Sequence, residues 1–230
     1  MGLRIKVGPS DFNQSMVDKR DWWGLPRQDW MYRYGVKRGL DILLVVFALP
    51  IIVPTILILA ALIALKGQSP FYRQDRLGRG GQIFTLWKLR TMVPDANARL
   101  NEHLASDESA RREWDAFQKL KYDPRITQLG HFLRKTSLDE LPQLWNVLKG
   151  DMSLVGPRPM MPEQRALYPG SAYYLMRPGL TGLWQISERN TSTFAQRAEF
   201  DADYERKLSF AMDVKVLVAT VGVVMRCTGR

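Results

Sequence analysis

The sequence is poor in the side chains that most often do chemistry. Its 230 residues include one cysteine, Cys227, and two histidines, His103 and His131. A single cysteine excludes a disulfide within the chain. Three Cys and His side chains in all leave almost no room for a zinc site, which needs three or four such ligands close together. Any metal must then be a hard cation held by carboxylates and substrate oxygens, which means Mg2+ or Mn2+. No apolar run opens the chain, so an ordinary cleavable signal peptide is not expected. There is no internal repeat, no low-complexity linker and no sign of a second globular domain. Negative charge is also scarce: 23 Asp and Glu stand against 33 Lys and Arg, a formal net charge of +10. That balance calls for an anionic partner, whether nucleic acid, a membrane surface or phosphorylated substrates. Nucleic acid fits the charge and little else, because the chain has no zinc-finger spacing, no RNP-like aromatic strand and no isolated basic helix.

Charge is missing altogether between Ile42 and Leu65, 24 residues in a row. The run is too long for a signal-peptide core and long enough to cross a bilayer. Trp22, Trp23, Trp30, Tyr32 and Tyr34 just upstream suit the headgroup layer. Inside the run, Pro50 and Pro54 each remove a backbone donor and clash with the carbonyl four residues earlier. This allows two arrangements, a kinked single span or a re-entrant helix–break–helix that leaves by the leaflet it entered. Lys37 and Arg38 before the run and Lys66 after it are mildly consistent with both ends on the cytoplasmic side.

The expected organisation is an interfacial segment 1–36, a membrane element 37–66 and a catalytic domain 67–230. The fold class is mainly α with a small β-hairpin (α+β). Phe71–Asp75 and Gln82–Lys88 read as two strands around the turn Gly78-Arg79-Gly80-Gly81. Residues 95–121 read as helix with a break near Asp107, and with Trp114, Phe117 and Leu120 on one face. A further amphipathic helix is expected over 131–149, its apolar side formed by Leu141, Leu144, Trp145 and Leu148. Two Pro/Gly-rich loops follow, one at Gly156-Pro157-Arg158-Pro159 and one starting at Arg177-Pro178-Gly179. The apolar stretch Val214–Met225 is too short to span a bilayer and suits a helix at the membrane surface or against the domain.

The chemical centre is expected at Asp139-Glu140. Adjacent carboxylates can hold a divalent cation, and one of them can act as a nucleophile. A structural role is equally compatible with the spacing. Ser137 and Glu140 match a capping box, and a helix start shifted to suit Pro142 would make Asp139 the N-cap. The candidate phosphate-binding cations are Lys88, Arg90, Arg134 and Arg158. Arg158 lies between two prolines that restrict the backbone and help aim the guanidinium for bidentate bonding.

These motifs resemble, in order and from about Lys37 to the end, those of the monotopic phosphoglycosyl transferases, also called the bacterial sugar transferase family. The matching stretches are Lys37-Arg38 with Asp41, the proline-broken apolar run, Arg73-Gln74-Asp75-Arg76-Leu77-Gly78, and Lys88-Leu89-Arg90-Thr91-Met92. They continue with Leu133 to Val147, Lys149 to Pro159, and Arg177 to Ser187 with Arg189-Asn190. The resemblance implies transfer of a sugar 1-phosphate, hexose by subgroup, from a UDP-sugar to polyprenyl phosphate at the cytoplasmic face of the bacterial inner membrane. It implies Asp139 as the nucleophile that forms an aspartyl-phosphosugar intermediate with release of UMP. Mg2+ (or Mn2+) would be held with help from Asp139 and Glu140, and phosphate by Arg134 and Arg158. Pro157, Gln185, Arg189 and Asn190 would contact the nucleotide sugar. It also favours the re-entrant form of the membrane element, with Pro54 as the breaking proline and Pro50 additional. Membrane lipids are implied partners and a homo-oligomer is compatible. Two other readings stay open at this level: a membrane-bound transferase acting by direct displacement, and a non-enzymatic basic membrane protein that binds anionic lipid or scaffolds a glycan-export complex.

Overall fold

The computed structural model describes residues 31–118, 120–187 and 193–225. The expectations for most of segment 1–36, for Arg189 and Asn190, and for Cys227 lie outside the described residues.

After a π-turn at Tyr32–Val36, helix α1 runs over Lys37–Ala64 as one continuous helix containing both Pro50 and Pro54. The expected two-segment form is therefore not what is described. Each proline removes one donor, orphaning the Val46 and Pro50 carbonyls, while the Thr55 hydroxyl donates to the Ile51 carbonyl at 2.8 Å. Helix bonding on both sides carries the segment through. By length and composition this is a helix able to cross a membrane, and 11% of its most apolar window is buried.

What α1 buries is a single stripe, Asp41, Val45, Leu49, Ile52, Ile56, Leu59 and Ile63, spaced three or four residues apart. At one end Val45 packs with Leu86, Leu144, Val147 and Met152. At the other, Leu59, Ala60 and Ile63 pack with Leu89 and Leu133. Arg38 donates to the Val147 and Leu148 carbonyls, and the Asp41 carboxylate accepts from the Leu154 amide at 3.0 Å. A helix about 42 Å long is thus fastened to the rest of the protein near both ends. Its opposite face, with Phe47, Ile51, Leu57 and Ile58, is exposed.

Strands β1 (Phe71–Leu77) and β2 (Ile83–Leu89) form an antiparallel hairpin in the expected place, β1 reaching two residues further than the sequence suggested and β2 shifted by one. Gly80 and Gly81 take positive φ in the turn, where a Cβ would strain the backbone. Arg73 opposes Trp87 across the strands, and its guanidinium lies over that ring at 5.3 Å. Helices α2 (Ala96–Ser106) and α3 (Glu108–Phe117) break at Asp107, whose carboxylate caps α3 through the Ser109 and Ala110 amides. They share a small core of Leu100, Leu104 and Ala110 with Trp114 and Leu120.

The helix expected over 131–149 is two helices, α4 (Gln128–Lys135) and α5 (Gln143–Lys149), separated by a 3-10 turn at Leu138–Glu140. Ser137 adopts a left-handed φ of 59° and ends the first helix, and Pro142 cannot sit inside a second one. Neither capping role is realised. Ser137 makes no side-chain cap, and α5 starts after Pro142 without one. Trp145 points outward rather than into the core.

A second, parallel pair is formed by β3 (Ser153–Val155), just before the first expected loop, and β4 (Gly179–Thr181), inside the second. Gly156 and Gly179 are packed so closely that a Cβ on Gly179 would stand 2.1 Å from the Gly156 nitrogen. The short helix α6 (Leu183–Ile186) leads to α7 (Arg197–Lys207) and α8 (Phe210–Met225). Asp213 of α8 accepts hydrogen bonds from Tyr32, Tyr204 and Lys37, which ties α8 and α7 to the start of α1. Val216 is buried, while Val218, Val221 and Met225 stay exposed, so α8 rests on the domain by one edge.

Candidate functional site

The carboxylate turn is positioned by a buried amide. Asn146 of α5 is fully buried and bonds the free edge of β2, donating to the Thr85 carbonyl at 2.8 Å and accepting from the Trp87 amide at 3.2 Å. This fixes α5, and the turn leading into it, beside Lys88. On the other side, α4 is seated on the segment after β2. Its cap Thr127 donates to the Thr91 carbonyl from both nitrogen and hydroxyl. A Cβ on Gly130 would stand 2.0 Å from that same oxygen. Arg134, one turn further along α4, donates from Nε to the Thr91 hydroxyl at 3.0 Å.

These elements bring Lys88, Arg134, Asp139, Glu140 and Arg158 together. The Glu140 carboxylate is held by two cations, Lys88 Nζ at 2.7 Å and Arg158 at 3.1 Å, both on Oε1. Asp139 is 5% exposed, and Lys88 Nζ lies 3.8 Å from its Oδ2. It accepts no hydrogen bond among the described residues. The two neighbours therefore differ electrostatically. Burial would raise the Glu140 pKa, but the charges and hydrogen bonds of Lys88 and Arg158 outweigh it and hold the group well below the usual carboxylate range. For Asp139 burial wins, with Lys88 opposing it and the charge of Glu140 adding to it, and the pKa is pushed up. Burial lowers the Arg134 pKa, and Asp139 and Asp123 work against that.

The other sequence-predicted residues are placed as follows. Arg90 is not brought to the cluster; its Nε donates to the Ser69 carbonyl at 2.8 Å and its guanidinium lies over Tyr72 at 5.8 Å. Pro157 is buried, and its carbonyl accepts from Gly179 at 2.7 Å, which locks the Arg158 loop to β4. Gln185 is buried with both amide atoms unpartnered among the described residues. Pro50 and Pro54 lie in α1, away from the carboxylates in sequence. Sequence reasoning did not single out three residues as part of the site: Asn146, Arg76 and Arg197. Arg76 belongs to one of the quoted motifs. Asn146 also lies in a quoted stretch, Leu133 to Val147, and for Arg197 nothing local distinguishes it from other polar helix residues.

Two nearby guanidiniums and an ammonium outnumber the two carboxylates and can offset part of a diphosphate's charge, and one carboxylate is left unbonded and able to attack phosphorus. Among the described residues no group of three or more His, Cys, Asp or Glu could hold a metal by itself. A cation here would rely on substrate oxygens.

The chain was compared with known proteins. A family model described as bacterial sugar transferase matches residues 32–227. The UDP-galactose-lipid carrier transferase of Erwinia amylovora is 44% identical over 196 residues, covering 84% of this chain and 41% of its own length. The undecaprenyl-phosphate galactose phosphotransferase of Salmonella typhimurium is 45% identical over 196 residues, again 84% of this chain and 41% of its own. The exopolysaccharide production protein ExoY of Sinorhizobium fredii is 42% identical over 196 residues, 84% of this chain and 87% of its own. The chain thus spans less than half the length of the two galactose relatives and nearly all of the third.

Proposed function

The chain belongs to the bacterial sugar transferase family, and on that premise we propose that it transfers a sugar 1-phosphate from a UDP-sugar to polyprenyl phosphate, undecaprenyl phosphate in particular. The product would start a surface polysaccharide, in line with the name of one relative, an exopolysaccharide production protein. The single observation that carries the chemical reading is the contrast between the two carboxylates: Glu140 is bonded by two cations, and Asp139 beside it is buried and unbonded. A nucleophile needs a free lone pair, and Asp139 has one.

The reaction then runs in two balanced displacements. A carboxylate oxygen of Asp139 attacks the β-phosphorus of the UDP-sugar, the bond from that phosphorus to the bridging oxygen breaks, and UMP leaves. An oxygen of polyprenyl phosphate next attacks the aspartyl-bound phosphorus. The acyl-phosphate bond breaks, the lipid carries away a diphosphate-linked sugar, and the carboxylate is restored. Phosphoryl transfer depends on positioning and charge neutralisation more than on acid–base groups. Arg158 and Arg134 are placed to take phosphate oxygens, and Lys88 to follow the charge between Glu140 and the substrate. The donor set fits Mg2+. The Lys88 ammonium already occupies a cation position beside both Asp139 and Glu140, and Mg2+ takes one or two carboxylates with the rest from phosphate and water. When bound it would neutralise the diphosphate. Galactose or glucose is the proposed sugar, the former in line with the names of two relatives.

The proposed location is the cytoplasmic face of the inner membrane, with α1 entering one leaflet only. The support is that α1 is fastened to the domain near both ends and exposes its other face, including Phe47 at 87% and Ile51 at 76%. A spanning helix would carry these domain contacts into the bilayer, where the polar loops around them would lose their hydrogen-bond partners.

Incubating the protein with a UDP-sugar labelled in the sugar phosphate, without lipid acceptor, should release about one UMP per active chain and leave label on Asp139. Sequential kinetics with no UMP before lipid is added would sink the covalent reading and favour direct displacement. Measuring UMP release over a panel of UDP-sugars identifies the donor.

A further inference from the structure

Arg158 holds Glu140 with its side chain, and two other arginines hold the backbone of Arg158 and its neighbour. Arg197 donates from an Nη to the Arg158 carbonyl at 2.6 Å. Arg76 donates from an Nη to the next carbonyl, that of Pro159, at 3.2 Å. Arg197 is buried and Arg76 partly buried, and the Nε of each is a buried atom with no hydrogen-bond partner among the described residues. Neither has an ion pair among the described residues. Arg197 is instead stacked between Trp184 and Phe194, at 4.9 and 4.8 Å from the ring centres. Its nearest acidic influence, Asp201, is itself occupied by the Tyr168 hydroxyl at 2.9 Å.

Burying a guanidinium without a carboxylate is unfavourable, and burying two beside a third more so. The electrostatics record this. Desolvation, with repulsion from Arg158 and Arg197, pushes the Arg76 pKa down to about 10. For Arg197 desolvation lowers the pKa, with Asp201 opposing and Arg158 adding to the fall. A carbonyl can be satisfied by a neutral donor, so holding the loop does not require these charges. An anion arriving at Arg158 would be attracted by all three.

We propose that Arg76 and Arg197 are positioning residues for nucleotide-diphosphate binding: a buried cationic clamp that fixes the Arg158-Pro159 backbone and supplies the positive potential that the substrate's second phosphate needs. This rests on the proposed UDP-sugar reading and assigns that site two residues beyond the carboxylate turn and Arg158. The clamp acts through Arg158 and through the field, so its effect falls on anion affinity rather than on fold stability.

The test uses the full chain in detergent micelles, with UDP and Mg2+ as the probe. Arg76→Gln and Arg197→Gln, which remove the charge and keep a neutral donor for the carbonyl, are compared with wild type by thermal unfolding and by calorimetric titration with UDP. The expected result is a Tm within about 3 °C of wild type or above it, together with UDP affinity at least tenfold weaker and less dependent on salt. Unchanged UDP affinity in both variants overturns the proposal. So does a Tm fall of more than about 3 °C in both, because the charges would then serve the fold, as buried structural arginines do. Arg197→Lys is the second variant. It keeps a charge without the planar stack and should recover the salt dependence but not the full affinity; recovery of neither refutes the electrostatic part. If wild type itself fails to bind UDP, the donor assignment falls, and the clamp falls only if inorganic diphosphate with Mg2+ also fails to distinguish the variants.

Discussion

Replacing Asp139 by Asn changes one oxygen for nitrogen and removes a charge, and the structure assigns opposite signs to its effects on stability and on activity. The carboxylate is 5% exposed and accepts no hydrogen bond among the described residues, so no bonded donor is orphaned. What the variant loses is attraction to Lys88 at 3.8 Å, about 4 kcal/mol for unit charges at an effective dielectric near 20, together with smaller attractions to Arg134 and Arg158. What it gains is relief from desolvation and from the charge of Glu140. The raised pKa of Asp139 records that the second set outweighs the first. The sign follows from linkage. A raised folded-state pKa means the folded protein prefers the protonated group, so stability falls as pH rises from the unfolded-state pKa and levels off once the folded-state pKa is passed. Asp139→Asn should therefore be as stable as wild type at low pH and increasingly more stable as pH rises from about 4, the ordinary aspartate range, until Asp139 is fully ionised in the folded state. Thermal unfolding in EDTA between pH 4 and 8 measures this. Transfer should fall at least about a thousandfold, about 4 kcal/mol in the barrier, and no label should be trapped. Near-normal transfer refutes the nucleophile assignment. Lost transfer with a lower Tm at pH 7 refutes the electrostatic reasoning, because the carboxylate would then be supporting the fold.

Glu140→Gln removes the charge shared by Lys88 and Arg158 and should lower stability by about 2 kcal/mol, the scale for charge-assisted bonds at partly exposed groups, with a Tm lower by about 5 °C. Lys88→Met removes the main influence that opposes burial at Asp139, so the acidic limb of the transfer–pH profile should move to higher pH; a limb that stays in place refutes the pairing. Gly179→Ala places a Cβ 2.1 Å from the Gly156 nitrogen and 2.4 Å from the Thr181 carbonyl oxygen. It should cost about 2 kcal/mol or more, seen as a lower denaturant midpoint, and should weaken UDP binding by shifting the Arg158 loop. For α1, Phe47→Asp with Ile51→Asp should abolish co-sedimentation with anionic vesicles while circular dichroism stays unchanged. Cysteines placed at Gly35 and Gln68 should both react with a label from the cytoplasmic side only, and labelling from opposite sides refutes entry into a single leaflet.

The features legible in the sequence alone are local: composition, and motifs made of adjacent residues. The near absence of Cys and His confined any metal to oxygen ligands. The uncharged run 42–65 specified an apolar helix by composition alone. The Asp139-Glu140 pair and the Pro-Arg-Pro frame were visible as short motifs, because each is made of adjacent residues. The hairpin followed from strand propensity around a glycine turn. Tertiary structure decided what depends on neighbours far along the chain. Single-residue patterns cannot show that Glu140 meets Lys88 and Arg158 while Asp139 is left unbonded, since both are acids in one turn. They cannot show that Arg90 turns to Ser69 whereas Lys88, two residues before it, faces the carboxylates. The capping readings failed because Ser137 adopts a left-handed conformation that local propensity disfavours and the surrounding packing imposes. The short parallel strands β3 and β4 were invisible because three residues carry no period, and their pairing is fixed by the close approach of Gly156 and Gly179. Both prolines stay inside α1 because the stripe from Val45 to Ile63 packs along its length, so tertiary burial offsets the two missing backbone hydrogen bonds.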